Sequence, residues 1–254
     1  MLHGCKQSAQ DFAAGTSMHA RGDGRGCFVL YPEQDRQANA QGCWNWFEAG
    51  HQRRERGEPA LLAELIQQIA ASHHIDRNRI YVAGLSAGGA MAAILATTHP
   101  ELFAAVGVHS GLPHGAASGL ASALVAMKRG ARRRQAGAGQ GLPIIVFHGD
   151  EDATVHPDNA EELIARALPE ALATRTIRGA ASGGRAWTRT VHEDHNGRGL
   201  AEHWVIHGGG HAWSGGDAAG SYTDPRGPDA SREMLRFFGE HRARHRDAAP
   251  GAAP

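Results

Sequence analysis

Residues 79–89 read RIYVAGLSAGG, a run of strand-forming residues that ends in a glycine-rich turn. The next stretch, AMAAILATTHP at 90–100, predicts a helix that stops at Pro100. A Gly-x-Ser-x-Gly pattern between a strand and a helix is typical of a nucleophile elbow, in which the serine occupies a sharp turn. A glycine-rich turn with a bystander serine is the alternative. The flanking strand and helix favour a nucleophile at Ser86.

Strand-like and helix-like segments alternate around this turn, which predicts an α/β fold with a mostly parallel sheet flanked by helices on both faces. The predicted strands are CFVLYP at 27–32, FAAVGVHSG at 103–111, LPIIVFHGDED at 142–152, and a late pair at 185–193 and 201–210. The predicted helices are 59–74, 158–168 and 231–242, the second of them capped by Asp158 or Asn159. For 112–141 we expect a helix and then a long loop. We predict one domain over 1–242 and a flexible Ala/Pro-rich tail over 243–254.

The composition is that of an ordinary globular protein and excludes several classes of partner. Of the 254 residues, 41% are hydrophobic and 20% are charged, and 26 Lys and Arg residues balance 26 Asp and Glu residues. A net charge of zero gives no long-range field that would attract nucleic acid or an anionic membrane. No apolar run reaches the roughly 18 residues of a membrane-spanning helix. We expect no nucleic-acid partner, no membrane span, and a monomer or a weak homo-oligomer.

A serine nucleophile needs a histidine base, and the base needs an acid that orients it. With the serine at an elbow, the acid and the histidine are expected in that order, each after a later strand. Asp150 and Asp152 both follow the buried strand IIVFHG. Asp150 abuts the strand and could instead cap the turn, whereas Asp152 lies further along the loop, where its side chain could reach a histidine. We predict Asp152 as the acid, with Asp150 as the alternative.

Three histidines, His203, His207 and His211, follow at intervals of four in HWVIHGGGHAWSGG at 203–216. On a helix this spacing would form a metal-binding face. The residues at 204–206 favour a strand, however, and the glycines at 208–210 would break a helix. We therefore expect neither a metal nor another cofactor. His211, on the loop after the glycines, is the predicted general base.

Negative charge develops on the carbonyl oxygen that a serine attacks, and two pre-aimed N–H donors are needed to stabilise it. The residue after the nucleophile provides one of them, the backbone N–H of Ala87. The opening residues MLHGC provide the other, since Gly4 lets the backbone turn and the N–H of Cys5 would then face the site. We therefore predict that the oxyanion is held by Cys5 and Ala87.

With these residues assigned, the chain resembles the secreted polyhydroxybutyrate depolymerase-like esterases of the α/β-hydrolase superfamily, which are relatives of feruloyl and acetylxylan esterases. The matching stretches are LHGCKQSAQDFA, VLYPEQ, CWNWF, IDRNRIYVAGLSAGGAMA, FHGDEDATVHPDN and GGGHAWSGG. The resemblance implies an α/β-hydrolase fold. It also implies Ser86 as the nucleophile, Asp152 of the pattern G-x-x-D-x-x-V as the acid and His211 of G-H-A-W as the base.

The resemblance further implies a disulfide between Cys5 and Cys43, which would tie the oxyanion loop to the aromatic stretch CWNWF. Two buried thiols are the alternative. The third cysteine, Cys27, lies in a predicted strand and is expected to be an inert core thiol. The candidates for the substrate pocket are His3, Trp44, Trp46 and Trp213, for which core packing is as good an explanation.

Together these features predict a serine esterase that hydrolyses polyhydroxyalkanoate oligomers, or similar short-chain or aryl esters, through a Ser-His-Asp triad and an acyl-enzyme. The alternatives are a feruloyl or acetylxylan esterase acting on plant polysaccharide esters, acyl transfer to an alcohol, and a catalytically inactive hydrolase fold used as a binding module. The resemblance implies a secreted or periplasmic protein. No signal peptide is visible and the strands that normally precede LHGC are missing, so we predict that the true chain begins upstream. A cytoplasmic protein is the alternative.

Overall fold

The computed structural model of the chain describes residues 1–131, 141–168 and 173–243. The α-helices are α1 (Ala9–Thr16), α2 (Met18–Asp23), α3 (Gly57–Ser72), α4 (Ala87–Thr98), α5 (Leu120–Arg129), α6 (Asp158–Ala167) and α7 (Ala230–Gly239). The strands are β1 (Tyr81–Leu85), β2 (Ala105–His109), β3 (Ile144–Gly149), β4 (Ala173–Ala180), β5 (Ala186–Glu193), β6 (Gly199–Ile206), β7 (Trp213–Ser214) and β8 (Thr223–Asp224).

Six strands form one sheet in the order β1-β2-β3-β6-β5-β4. The pairs β1–β2, β2–β3 and β3–β6 are parallel, whereas β5 runs antiparallel to both of its neighbours. The prediction of a mostly parallel sheet is confirmed. Since β1, β2, β3 and β6 run in the same direction, their carboxyl ends lie along one edge of the sheet, where open α/β sheets bind their ligands.

Helices cover both faces of this sheet, as the fold prediction required. Val106 and Val146 belong to a core cluster shared with α3, α4, α5 and α6. Ala105 and Phe147, their neighbours along the same strands, belong to a second cluster shared with α1, α2 and α7. Successive side chains of a strand point to opposite faces, so two buried faces require a continuous apolar run, which is what the strand at 142–152 showed.

One predicted strand is wrong. Residues 27–32 form no regular strand, Cys27 is exposed, and the side chain of Phe28 is 68% exposed. In place of a ladder, the amino group of Met1 donates a hydrogen bond to the carbonyl of Leu30 at 2.8 Å. An apolar run shows that a segment can be buried but does not provide the partner strand that a ladder needs. Cys27 is therefore not the core thiol that was expected.

Smaller differences concern the ends of the predicted elements. Helix α6 begins after Pro157 with no side-chain cap, so the predicted cap by Asp158 or Asn159 is wrong. Strand β4 was not predicted, because its residues are mostly exposed and include no apolar run. Within 112–141 the structure has the expected helix, α5, but 132–140 lie outside the described residues, as does the predicted tail after Ala243. Within the described parts of the chain, no helix combines the length and apolar character of a membrane span.

Candidate active site

Ser86 lies between β1 and α4 in a strained backbone conformation, with φ 56° and ψ −118°. A positive φ is costly for a residue with a side chain, and such strain is concentrated at functional sites. The N–H of Ser86 donates to the carbonyl of His109 at 2.9 Å, which fixes the turn to the end of β2. The side chain is buried, with Ser86 only 8% exposed. This is the sharp strand-to-helix turn that the sequence pattern predicted.

The glycines on either side of the serine allow three backbone segments to meet. A Cβ on Gly84 would lie 2.4 Å from the backbone of Gly88, and a Cβ on Gly88 would lie 2.0 Å from the carbonyl oxygen of Leu2. Leu2 itself pairs with Gly84 in a parallel bridge beside β1. No side chain fits at these contacts, so the opening residues can reach the elbow only because both positions are glycine.

We expect Gly88→Ala to lower the free energy of unfolding by about 3 kcal/mol or more, because the added methyl group would collide with backbone that cannot move aside. Urea denaturation monitored by circular dichroism measures the loss. Gly50→Ala is the matched control, since a Cβ at Gly50 would meet no atom within 4 Å. Equal unfolding midpoints for the two variants would show that the close approach at Gly88 is not required.

Asp152 and His211 form a short, largely buried pair. Oδ2 of Asp152 lies 2.7 Å from Nδ1 of His211, and their side chains are 0% and 12% exposed. The other oxygen, Oδ1, accepts the backbone N–H groups of Thr154 and Val155 at 2.9 and 2.8 Å. Burial alone would raise the pKa of the Asp152 carboxyl, but hydrogen bonds from His148, His211 and Val155 hold that pKa well below its ordinary value.

In the structure, the alternative acid Asp150 pairs with a different histidine, His207. Its Oδ2 lies 2.8 Å from Nδ1 of His207, and its Oδ1 accepts the N–H of Gly208 at 2.7 Å. Both side chains of this second pair are more than a third exposed. His203 lies within β6 rather than on a loop. Of the candidate acids and bases, only Asp152 and His211 form a pair that is withdrawn from solvent.

The sheet brings the predicted nucleophile and the predicted acid–base pair to one edge. Ser86 follows β1, Asp152 follows β3 and His211 follows β6, and these strands are parallel. His109, at the end of β2, hydrogen-bonds both to the turn at Ser86 and to the segment that follows His211. Its carbonyl accepts a hydrogen bond from the N–H of Ser86, and its ring Nε2 accepts one from the N–H of Ser214 at 3.0 Å. Burial and the nearby imidazoles lower the pKa of His109 to about 3, so its ring is a neutral acceptor.

The predicted oxyanion loop, residues 3–5, lies against the elbow. A Cβ built on Gly4 would be 3.6 Å from the Cβ of Ser86. A disulfide joins Cys5 to Cys43, with their Cα atoms 4.2 Å apart. Ala87 is the first residue of α4, whose first N–H groups have no partner within the helix. Within the described residues, the N–H of Cys5 is likewise not engaged by another backbone group. Whether these two N–H groups act as oxyanion donors stays a prediction.

The sequence model of the family described as "Esterase PHB depolymerase" matches residues 1–185. The chain belongs to this family. It is 34% identical over 175 residues to "Poly(3-hydroxyalkanoate) depolymerase C" of Paucimonas lemoignei, an alignment that covers 64% of this chain and 42% of that protein. The chain thus spans less than half the length of that relative.

Two further comparisons extend over more of the chain. It is 30% identical over 214 residues to "Feruloyl esterase B" of Thermothelomyces thermophilus, which covers 76% of this chain and 72% of that protein. Among solved structures, "Acetyl xylan esterase from Aspergillus awamori" superposes with a TM-score of 0.72 at 19% identity, over 94% of this chain and 87% of that one. The architecture is therefore that of the α/β-hydrolase fold.

The predicted pocket residues are buried. His3, Trp44, Trp46 and Trp213 are 0%, 3%, 6% and 1% exposed. The Trp44 indole N–H donates to the carbonyl of His3 at 3.1 Å, and the Trp213 indole N–H donates to Ser231 Oγ at 3.0 Å. These contacts favour the packing interpretation for the two tryptophans. Their contribution to a substrate pocket stays a prediction.

Sequence reasoning missed three buried polar residues around the site, namely Gln7, His109 and His148. Each lies close in sequence to a recognised motif, and the two histidines interrupt apolar strands, which is the one signal that could have revealed them. His148 Nε2 lies 2.8 Å from the carbonyl of Val155 and 3.4 Å from Oδ2 of Asp152. In the described residues, no group of three or more His, Cys, Asp or Glu side chains is arranged to hold a metal ion.

Proposed function

We propose that this chain is a carboxylic ester hydrolase in which Ser86, His211 and Asp152 form the catalytic triad. One observation carries the proposal: a buried Asp152–His211 pair shares a sheet edge with a serine held in a strained elbow. A serine, then an acid, then a histidine, each following its own strand, form the arrangement that is typical of acyl transfer in this kind of fold. Membership of an esterase family supports the same conclusion.

In the proposed mechanism, Oγ of Ser86 attacks the ester carbonyl while Nε2 of His211 takes the hydroxyl proton. Asp152 keeps the other ring nitrogen protonated and stabilises the imidazolium that forms. His211 then gives its proton to the departing alcohol, which leaves an acyl group on Ser86. Water then attacks the acyl carbonyl while His211 takes one of its protons, and His211 returns that proton to Oγ of Ser86 as the acid leaves.

The electrostatics of the site support this assignment of roles. Asp152 remains ionised because its pKa is depressed, so it can face an imidazolium without taking its proton. The N–H groups of Cys5 and Ala87 are the proposed oxyanion donors, because Ala87 directly follows Ser86 and Gly4, which precedes Cys5, lies against Ser86. Within the described residues, neither N–H is engaged by another backbone group. A donor of this kind typically contributes about 3 kcal/mol to transition-state stabilisation.

Polyhydroxyalkanoate oligomers, or similar short-chain esters, are the proposed substrates. The family match and the similarity to a poly(3-hydroxyalkanoate) depolymerase support this choice. Feruloyl or acetylated-xylan esters are the second candidate, because the similarity to a feruloyl esterase extends over more of both chains. Secretion or export to the periplasm is proposed as well, since a disulfide such as Cys5–Cys43 persists in an oxidising compartment.

Initial rates with hydroxybutyrate trimer, methyl ferulate and acetylated xylan separate these substrates. We expect a kcat/KM for the trimer that is about tenfold or more above that for methyl ferulate, a difference of about 1.4 kcal/mol in transition-state binding. Acid release is followed by titration at constant pH, with a Ser86→Ala sample as the blank. A reversed order would assign the chain to the feruloyl or acetylxylan type. No release from any of the three would favour the inactive binding module.

A further inference from the structure

The buried side chain of Gln7 connects the oxyanion loop to two other parts of the chain. Its Oε1 accepts the N–H of Gly4 at 2.9 Å, and Gln7 is only 6% exposed. Its Nε2 donates to Oδ2 of Asp11 at 3.0 Å and to the carbonyl of Ser221 at 3.1 Å. Both ends of the amide are therefore occupied, and the side chain has a single favourable orientation.

Asp11 and Ser221 form hydrogen bonds with each other as well as with Gln7. Asp11 accepts the backbone N–H of Ser221 on Oδ1 at 2.9 Å and its hydroxyl on Oδ2 at 2.5 Å. Asp11 lies in the first turn of α1, where its own N–H is capped by the hydroxyl of Ser8. Burial alone would raise the pKa of the Asp11 carboxyl, but the hydrogen bonds from Ser221 and Gln7 bring that pKa below its ordinary value. Asp11 therefore stays ionised and can accept these hydrogen bonds. Gln7, Asp11 and Ser221 are called the amide clamp below.

His3 fixes the same loop from the other side. Its Nε2 accepts the N–H of Gln34 at 3.0 Å, so the ring proton belongs on Nδ1, which then donates to the carbonyl of Gly4 at 2.8 Å. The peptide between Gly4 and Cys5 is trans, so its N–H points away from its carbonyl. Holding the Gly4 carbonyl on His3 therefore turns the N–H of Cys5 in the opposite direction.

The clamp also reaches the segment that follows the base. Ser221 precedes Tyr222, whose carbonyl accepts the N–H of Trp213 at 2.7 Å, and Trp213 is two residues after His211. The contact between Gln7 and Ser221 joins residues 214 positions apart. The loop that carries the proposed oxyanion donor and the loop that carries the proposed base are thus fastened to one glutamine.

We infer that Gln7 is a positioning residue that, through the amide clamp and opposite His3, keeps the Gly4–Cys5 peptide turned so that the Cys5 N–H faces the reacting oxygen. The inference rests on the proposed esterase function. Gln7 acts through the Gly4 N–H rather than by a hydrogen bond of its own to the reacting atoms. The Gly4 N–H belongs to the His3–Gly4 peptide, so loss of the Gln7 amide lets Gly4 change its backbone angles and carry the Gly4–Cys5 peptide with it. This turns the Cys5 N–H away from the transition state and leaves ground-state binding intact.

Gln7→Met tests this, because methionine has a similar length but can neither accept nor donate these hydrogen bonds. With p-nitrophenyl butyrate we expect kcat to fall about 100-fold and KM to stay within about twofold, as for loss of one oxyanion donor. A butyl trifluoromethyl ketone, which forms an oxyanion-like adduct with a serine, should lose affinity by a similar factor. The matching methyl ketone, a ground-state analogue, should bind unchanged.

Gln52→Met is the matched control. Gln52 is also a glutamine whose amide joins two backbone groups, since Oε1 accepts the N–H of Gly115 and Nε2 donates to the carbonyl of Ala117. We expect Gln52→Met to leave the ratio of the two ketone affinities unchanged. The inference is overturned if Gln7→Met leaves kcat unchanged, or if it weakens both ketones and raises KM by the same factor, as a general loss of structure would.

A second measurement distinguishes a failure of the role inferred for Gln7 from a failure of the proposed esterase function. Amide hydrogen exchange followed by NMR does not require ester hydrolysis, and we expect Gln7→Met to speed exchange at Gly4 about tenfold or more. If exchange at Gly4 rises while Ser86→Ala keeps full activity, the proposed nucleophile has failed and the anchoring of the loop by Gln7 stands. If exchange at Gly4 is unchanged in Gln7→Met, the amide clamp does not hold the loop and the inference has failed.

Discussion

Ser86→Ala is expected to abolish hydrolysis of p-nitrophenyl butyrate, with kcat lower by about 10⁵-fold or more. The change removes the only hydroxyl at the elbow and leaves the base without a proton to take. Alanine fits the same turn, because it occupies no more space than serine. Steady-state release of p-nitrophenol measures the loss.

The fold of Ser86→Ala should be unaffected, and urea denaturation serves as its control. We expect an unfolding midpoint equal to that of the parent, since Ser86 is fixed by its backbone N–H to the carbonyl of His109 rather than by its hydroxyl. Full esterase activity in a folded Ser86→Ala protein would contradict the proposed nucleophile. A loss of activity that accompanies unfolding would be a structural effect, and Ser86→Cys would then replace it as the test.

Asp152→Asn is expected to lower kcat by about 10⁴-fold. An asparagine is nearly isosteric with aspartate. It can, however, present its amide N–H to Nδ1 of His211, which would stabilise the wrong ring tautomer and would no longer balance an imidazolium. The matched control is Asp150→Asn, two residues away and paired with the exposed His207. We expect a change of less than about threefold there, because exposed pairs contribute little.

The reverse pattern, a severe loss in Asp150→Asn and a mild one in Asp152→Asn, would contradict the assignment of the acid. The acid stability of the two variants gives a second readout. Because the pKa of Asp152 is lower in the folded chain than in the unfolded chain, its charge stabilises the fold above about pH 4, and this contribution is lost as the pH falls. Unfolding midpoints of Asp152→Asn should therefore vary less between pH 6 and pH 3 than those of the parent.

Local sequence was sufficient for the parts of the site that one segment determines. The elbow at Ser86 needs only a strand, two glycines and a helix within twenty residues, and all of these are visible in the sequence. The buried strand before Asp152 is equally clear, since four apolar β-formers stand in a row. Because the strands before Ser86, Asp152 and His211 are parallel, these three predicted residues then lie at one edge of the sheet.

What the sequence could not provide depends on partners far apart in the chain. Whether Asp150 or Asp152 meets His211 is decided by where two loops converge, and the hydrogen bonds of Gln7 reach Ser221 near the other end of the chain. At 27–32 the sequence predicted a strand that the structure does not contain. This segment has the apolar residues of a strand but no strand beside it, and Phe28 is left in solvent. Periodicity describes what a segment can bury, and only the fold determines what it pairs with.

The central claim, that Ser86 is the nucleophile, is tested most directly by locating a covalent adduct. Diethyl p-nitrophenyl phosphate transfers a diethylphosphoryl group to an activated serine, and peptide mass spectrometry identifies the modified residue. We expect one phosphoryl group per chain, on Ser86, to form in step with the loss of esterase activity, and none on Ser86→Ala. Complete inactivation with the Ser86 peptide unmodified would contradict the account.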